Sequence, residues 1–271
     1  MKRFFFATGL ALVGLFAAIA QNAEAGTLNY EQTFGTTGTQ ASDSGSSFAN
    51  YSGWTYYESA SDVDSYATVA STGTLSLVKG SGARTVYATV SAASITGQNT
   101  FTNPTTVSAD LTGVGPSEYA SNGTFHVGIV FGDAEFYFHP GYSGGAVRMG
   151  PTTADSIYQF FDNAATYQQG NPVRVSVTVA ENSTDSSLYN LSLSLNSSDG
   201  SYSASTTIAK SYVGDFDSVG VLMDGDVNNG PYTEYVSNFS VSTVAVPEPG
   251  TLALTFAGVV GLLAYAWRKR K

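Results

Sequence analysis

Two short stretches hold the residues best placed to do chemistry. In the first, Glu135-Phe136-Tyr137-Phe138-His139 alternates phenylalanine with polar or ionisable side chains. Successive side chains of a strand point to opposite faces, so if Phe136 and Phe138 face a core, Glu135, Tyr137 and His139 share the other face. His126, on the strand before, joins them. A tyrosine ring stacks on a sugar and a carboxylate accepts hydrogen bonds from hydroxyls, so this is an expected glycan face; the same pattern also describes an ordinary solvated strand. In the second stretch, Asp224-Gly225-Asp226-Val227-Asn228-Asn229-Gly230 sets oxygen ligands at Asp224, Asp226 and Asn228. That suits a hard cation such as Ca²⁺. The loop lacks a closing bidentate Glu, and a turn rich in Asp, Asn and Gly needs no metal to form. Glu31 and Asn238 are a second expected place for Ca²⁺; no other cofactor is called for.

Catalysis finds little to work with. Retaining glycoside cleavage needs two carboxyl groups about 5–5.5 Å apart. Asp133 and Glu135 are the nearest approach, they flank a turn, and no third acid follows in register. His126 and His139 are the only histidines, which also leaves little for a transition metal. The expectation is a protein without enzymatic activity.

The elements that must position these residues read as strands. Val173, Val175, Val177 and Val179 interleave with Arg174, Ser176 and Thr178, placing four β-branched side chains on one face. Turns at residues 182–187 and 196–200 then separate Leu191, Leu193 and Leu195 from Tyr202, Ala204, Thr206 and Ile208, a three-strand meander. Phe125, Val127, Ile129 and Phe131, followed by Gly132-Asp133 and residues 135–139, predict a hairpin. Further strands are expected at 27–34, 74–78, 84–90, 105–111, 218–223 and 234–244. About a dozen strands without a sustained helical period predict an all-β, two-sheet sandwich over residues 26–245.

Composition agrees. Of 271 residues 42% are hydrophobic, enough for a core, and only 12% are charged. There is no cysteine, so neither disulfides nor a lipidated N-terminal Cys contribute. Setting aside the bases of the two ends, together with Glu24 and Glu248, leaves 5 basic against 19 acidic residues, a formal charge of −14. That field repels phosphate backbones, so nucleic acid is excluded as a partner.

Each end carries a routing pattern. Lys2 and Arg3 precede an uncharged, largely apolar run from Phe4 to Ala20, and Ala23-Glu24-Ala25 precedes Gly26. This is the layout of a secretory signal peptide over residues 1–25, cut after Ala25, and it implies the Sec translocon and signal peptidase as partners. At the other end Val246-Pro247-Glu248-Pro249 leads into the uncharged stretch Thr251 to Trp267 and then Arg268-Lys269-Arg270-Lys271. Seventeen helical residues reach roughly 25 Å, enough for a short membrane crossing. Four cations hold the terminus in the cytoplasm. The two prolines keep the segment outside the membrane extended.

Residues 246–271 resemble the PEP-CTERM sorting signal. Such tails also carry the label of an ice-binding protein C-terminal domain, which describes the tail and implies no ice binding. The resemblance implies recognition by an exosortase that cuts near Pro247-Glu248-Pro249. The route would then run from an inner-membrane precursor held by residues 251–267 to the cell surface or extracellular matrix. The order of strand signals over residues 27–244 resembles a concanavalin-like or laminin-G-like jelly roll. It opens on Tyr30-Glu31-Gln32-Thr33-Phe34 with Trp54 soon after, and closes on residues 235–241, with first and last strands paired. Three roles fit: a structural or adhesive surface protein, which the sequence favours; a non-catalytic module that binds extracellular polysaccharide; and, least, a glycoside hydrolase.

Overall fold

A computed structural model describes residues 27–34, 40–41, 47–48, 51, 53–58, 65–71, 73–80, 85–101, 104–115, 125–140, 146–151, 159–162, 167–225 and 231–244, with residues 259, 262, 265, 267 and 269 near the C-terminus. In chain order the strands are β1 (Thr27–Gln32), β2 (Gln40–Ala41), β3 (Trp54–Glu58), β4 (Tyr66–Ser71), β5 (Thr74–Lys79), β6 (Thr85–Ser91), β7 (Thr105–Val114), β8 (Phe125–Phe131), β9 (Ala134–Phe138), β10 (Ala146–Pro151), β11 (Gln159–Asp162), β12 (Val173–Glu181), β13 (Leu188–Ser197), β14 (Gly200–Ala209), β15 (Ser218–Gly225) and β16 (Tyr232–Val244). Two short helices, α1 (Ala92–Thr96) after β6 and α2 (Lys210–Val213) after β14, interrupt them.

The strands form two antiparallel sheets. One runs β14-β13-β12-β7-β16-β5-β4-β2, with β1 beside β16; the other runs β11-β10-β9-β8-β15-β6-β3. The expected meander is present, with Val175 opposite Leu195 and Leu195 opposite Tyr202. The expected hairpin pairs Ile129 with Phe136.

Period-two alternation fills the space between the sheets. Val173, Val175, Val177 and Val179 are buried from the first sheet, and Val127, Ile129, Phe131, Phe136 and Phe138 from the second. Each such burial is worth about 1.5–3 kcal/mol. At one end Trp54 packs edge-on against Phe239, ring centroids 4.9 Å apart, and against Phe34 at 5.4 Å. Its indole N–H donates to the Tyr30 hydroxyl at 3.1 Å, so the polar end of the ring is satisfied.

A bulge in β16 resets that alternation. The register against β7 shifts between Ser237 and Ser240, and Asn238 sits at φ 51°. Tyr232, Glu234 and Val236 face inward before it and Phe239, Val241 and Thr243 after it. An extra residue thus keeps apolar side chains on the core side of the longest strand.

The chain divides into two compact units, Leu28–Thr243 and a second comprising residues 1–27 and 244–271. The expected signal helix, with Ala23, Ala25 and Gly26, lies outside the described residues, as do Val246, Pro247, Glu248, Pro249, Arg268, Arg270 and Lys271. Within the second unit Val259, Leu262, Tyr265 and Trp267 are helical, and the Lys269 amide donates to the Tyr265 carbonyl at 3.1 Å. Among the described residues no helix is long and apolar enough to cross a membrane.

Candidate functional site

The expected glycan face lies on the second sheet, on the side away from the core. The register aligns Thr85, Asp224 and His126 in one row, Tyr87, Leu222, Gly128 and Tyr137 in the next, and Thr89, Gly220, Val130 and Glu135 in a third. Glu135, Tyr137 and His139 do share this face, but they are 8%, 7% and 2% exposed, so they are not presented to solvent as a platform would require. The reason is visible in their neighbours. Leu222, Val130 and Tyr137 form a second, smaller apolar cluster, with Tyr87 packed against it.

Tyr87 and Glu135 fix that arrangement. Two strands, β15 and β8, separate them, so a flat sheet would hold their Cα atoms about 14 Å apart. Nevertheless the Tyr87 hydroxyl donates to Glu135 Oε1 at 2.6 Å. Glycine occupies one intervening position in each of their rows, Gly128 and Gly220. A Cβ at either would run into the adjacent strand's backbone, at Phe136–Tyr137 or at Ala88–Thr89. Burial, followed by the Glu135 charge, pushes the Tyr87 phenol well above its ordinary value. Glu135 is therefore committed to an internal partner.

A second polar group lies one row away. His126 Nδ1 is 3.2 Å from Asp224 Oδ2, while Asp224 Oδ1 accepts from Thr85 Oγ1 at 3.1 Å and from the Gly225 amide at 2.8 Å. A carboxylate only accepts, so Nδ1 carries the hydrogen of this contact. Nε2 is buried without a hydrogen-bond partner among the described residues. The His126 ring packs edge-on to His139, centroids 3.9 Å apart, and lies 4.6 Å from Tyr137. A histidine oriented by a carboxylate can take a proton or a hydrogen bond from a hydroxyl that reaches it.

The cation readings meet donors and occupied acceptors. Asp224 belongs to β15 and both its oxygens are engaged, while Asp226 and Asn228 lie outside the described residues. At the other expected place Glu31 and Asn238 line one cavity together with Arg174. There the guanidinium donates to the Asn238 carbonyl at 2.8 Å and to Asp110 Oδ1 at 3.3 Å, and Asn238 Nδ2 donates to Asp110 Oδ2 at 2.6 Å. A fixed positive charge stands where a cation would need oxygens. Among the described residues no group of three or more His, Asp or Glu side chains is placed to hold a metal.

Catalytic pairs are no better served. Asp133 is exposed in the hairpin turn while Glu135 is buried on the strand. Gly141-Tyr142-Ser143-Gly144-Gly145 has the Gly-x-Ser-x-Gly spacing of a nucleophile elbow, a signal the sequence reading overlooked. It lies outside the described residues and joins β9 to β10, two paired antiparallel strands, whereas an elbow needs a strand-to-helix turn.

The opposite sheet carries a feature whose spacing was in plain view. On its outer face Ser108, Ser176, Ser194 and Ser203 align in one row and Thr106, Thr178, Ser192 and Ser205 in the next. Ser108 and Ser176 share a 2.8 Å hydrogen bond, as do Thr106 and Thr178. Residues of β12, β13 and β14 from these rows line a shallow trough.

At the C-terminus, Pro-Glu-Pro, an uncharged run with described helical residues and a basic end occur in that order. Residues 245–271 match the PEP-CTERM protein-sorting motif. The PEP-CTERM tail begins one residue before the stretch expected from sequence, and it implies export, processing by an exosortase and a place at the cell surface or outside the cell. No curated protein matches the chain. Among solved structures, lectin II from Ulex europaeus is similar at 11% identity, covering 83% of this chain and 100% of that one with a TM-score of 0.50. The PL-14 alginate lyase from Aplysia kurodai is similar at 10% identity, covering 77% and 99% with a TM-score of 0.50. These likenesses bear out the concanavalin-like sandwich; at such identities they speak to fold alone.

Proposed function

We infer that the chain is an exported envelope protein with a structural or adhesive role. On this reading residues 1–25 direct export and are removed after Ala25, residues 26–245 are the working sandwich, and residues 246–271 are a sorting tail with its membrane helix at 251–267. The tail carries the argument. Leu262, Tyr265 and Trp267 are 65–73% exposed, and apolar and aromatic side chains at helical positions call for a non-aqueous cover, which a bilayer supplies. Exosortase is the enzyme this tail would meet.

The structural role is supported by the second sheet's face. Its carboxylate is bound by Tyr87 and its aliphatic side chains are buried, so the molecule spends that face on its own stability. A second reading, a non-catalytic carbohydrate-binding module, is favoured by the hydroxyl rows on the first sheet. Glycan arrays and polysaccharide pull-downs with the processed protein recovered from cells separate the two. The structural reading expects no saturable binding. Saturable binding to a defined glycan would replace it with the lectin reading.

A further inference from the structure

The two hydroxyl rows on the outer face of the first sheet continue onto β16, where Ser240 lies opposite Ser108 and Ser242 opposite Thr106. Adjacent strands β14, β13, β12, β7 and β16 thus each add one hydroxyl to either row. At the usual strand spacing a row spans about 19 Å. On β7 and β12 the hydroxyls bond to one another. On β13 and β14 they do not: Ser192, Ser194, Ser203 and Ser205 are exposed, and no hydrogen bond among the described residues engages their side chains. With Ser176 and Thr178 these four line a trough of about 460 Å³. Ligand sites occupy roughly 300–1,000 Å³.

Two further observations say what the face fits. β16 buries Glu234 and Val236 and so turns Tyr235 outward on this same face, 40% exposed and opposite Thr112 of β7. Its ring offers an apolar plane with a polar end. Charge then decides the class of partner. Neither row contains an ionisable side chain, and Arg174 beside them is paired with Asp110 at 3.3 Å. The formal charge of −10 opposes approach of an anionic polymer. We propose that this face holds an extended, uncharged polysaccharide, its hydroxyls bonded along the rows and one sugar ring stacked on Tyr235. A Ser or Thr hydroxyl both donates and accepts, as a sugar hydroxyl does, so the match needs no charge. The inference rests on the carbohydrate-binding reading and names the surface and the glycan class for it.

The test is affinity electrophoresis of the processed protein recovered from cells, in native gels containing dextran, starch or galactomannan, with alginate as the anionic comparison. At least one neutral polymer is expected to retard the protein, and alginate is not. Tyr235→Ala, and separately Ser194→Val with Ser203→Val, are each expected to weaken binding about tenfold with an unchanged melting temperature. Tyr57→Ala, at a tyrosine of similar exposure on the second sheet, is expected to leave it unchanged. Binding that survives either first-sheet change, or that falls equally with Tyr57→Ala, overturns this surface while the carbohydrate-binding reading stands. No retardation by any neutral polymer overturns both. Retardation by alginate as strong as by the neutral polymers overturns the uncharged class.

Discussion

The Tyr87 hydroxyl, on β6, donates to the Glu135 carboxylate, on β9, at 2.6 Å across two intervening strands. This bond ties the two halves of the second sheet together on the side away from the core. Tyr87→Phe removes the donor and leaves a buried carboxylate without it, which costs about 1–3 kcal/mol. Glu135→Gln keeps an acceptor and is expected to cost less. Urea denaturation of both variants checks the order, and equal loss from each contradicts it.

Glu234 supplies a pH dependence. It is 0% exposed, between the sheets, with neither oxygen hydrogen-bonded among the described residues. Burial pushes its carboxyl well above the usual range, and the nearby Gly128 backbone only partly opposes this. A raised folded value means both states are protonated below about pH 4.5, where the group costs nothing. Above that the unfolded chain loses the proton first, so stability falls by up to about 1.4 kcal/mol per pH unit until the folded value is passed. Glu234→Gln is therefore expected to gain stability over the native protein at pH 8 and not at pH 4. Urea midpoints across that range test it, and a gain independent of pH counts against it.

Asn238 separates side chain from backbone. Its φ of 51° lies in the left-handed region, and its amide donates to Asp110. Asn238→Gly and Asn238→Ala both lose the amide, but only alanine also meets the left-handed penalty of about 1–2 kcal/mol. Alanine is expected to melt lower than glycine by that margin. Thermal unfolding of the pair measures it, and equal melting temperatures would show that the bulge relaxes.

Much of the fold was legible because its strands alternate cleanly. Val173 to Val179 and Leu191 to Leu195 announce their faces, and β12, β13 and β14 pair in the order expected. Strands β2, β3, β4, β10 and β11 were not anticipated. Trp54-Thr-Tyr-Tyr-Glu and Tyr66-Ala-Thr-Val-Ala-Ser are short, and their burial is decided by partners outside each strand, such as Phe239 for Trp54 and Leu75 for Val69. Glu234 and Lys79 were hardest. Charged side chains read as solvent-facing, yet the alternation of Tyr232, Glu234 and Val236 turns Glu234 inward, and Lys79 is buried with its ammonium donating to the Gly80 carbonyl at 2.9 Å. The candidate face failed as a platform for a related reason. Alternation told which side Glu135 takes, while its burial depends on Tyr87, 48 residues earlier in the chain.

The central claim is the route, and the mass of the protein recovered outside the cell tests it most directly. The account predicts a species beginning at Gly26 and ending near Pro247-Glu248-Pro249. A variant with Pro247→Ala, Glu248→Ala and Pro249→Ala is predicted to keep its tail and stay with the membrane fraction. Identical tail removal in the native and variant proteins, or a native protein that leaves the cell with residues 251–271 intact, would contradict it.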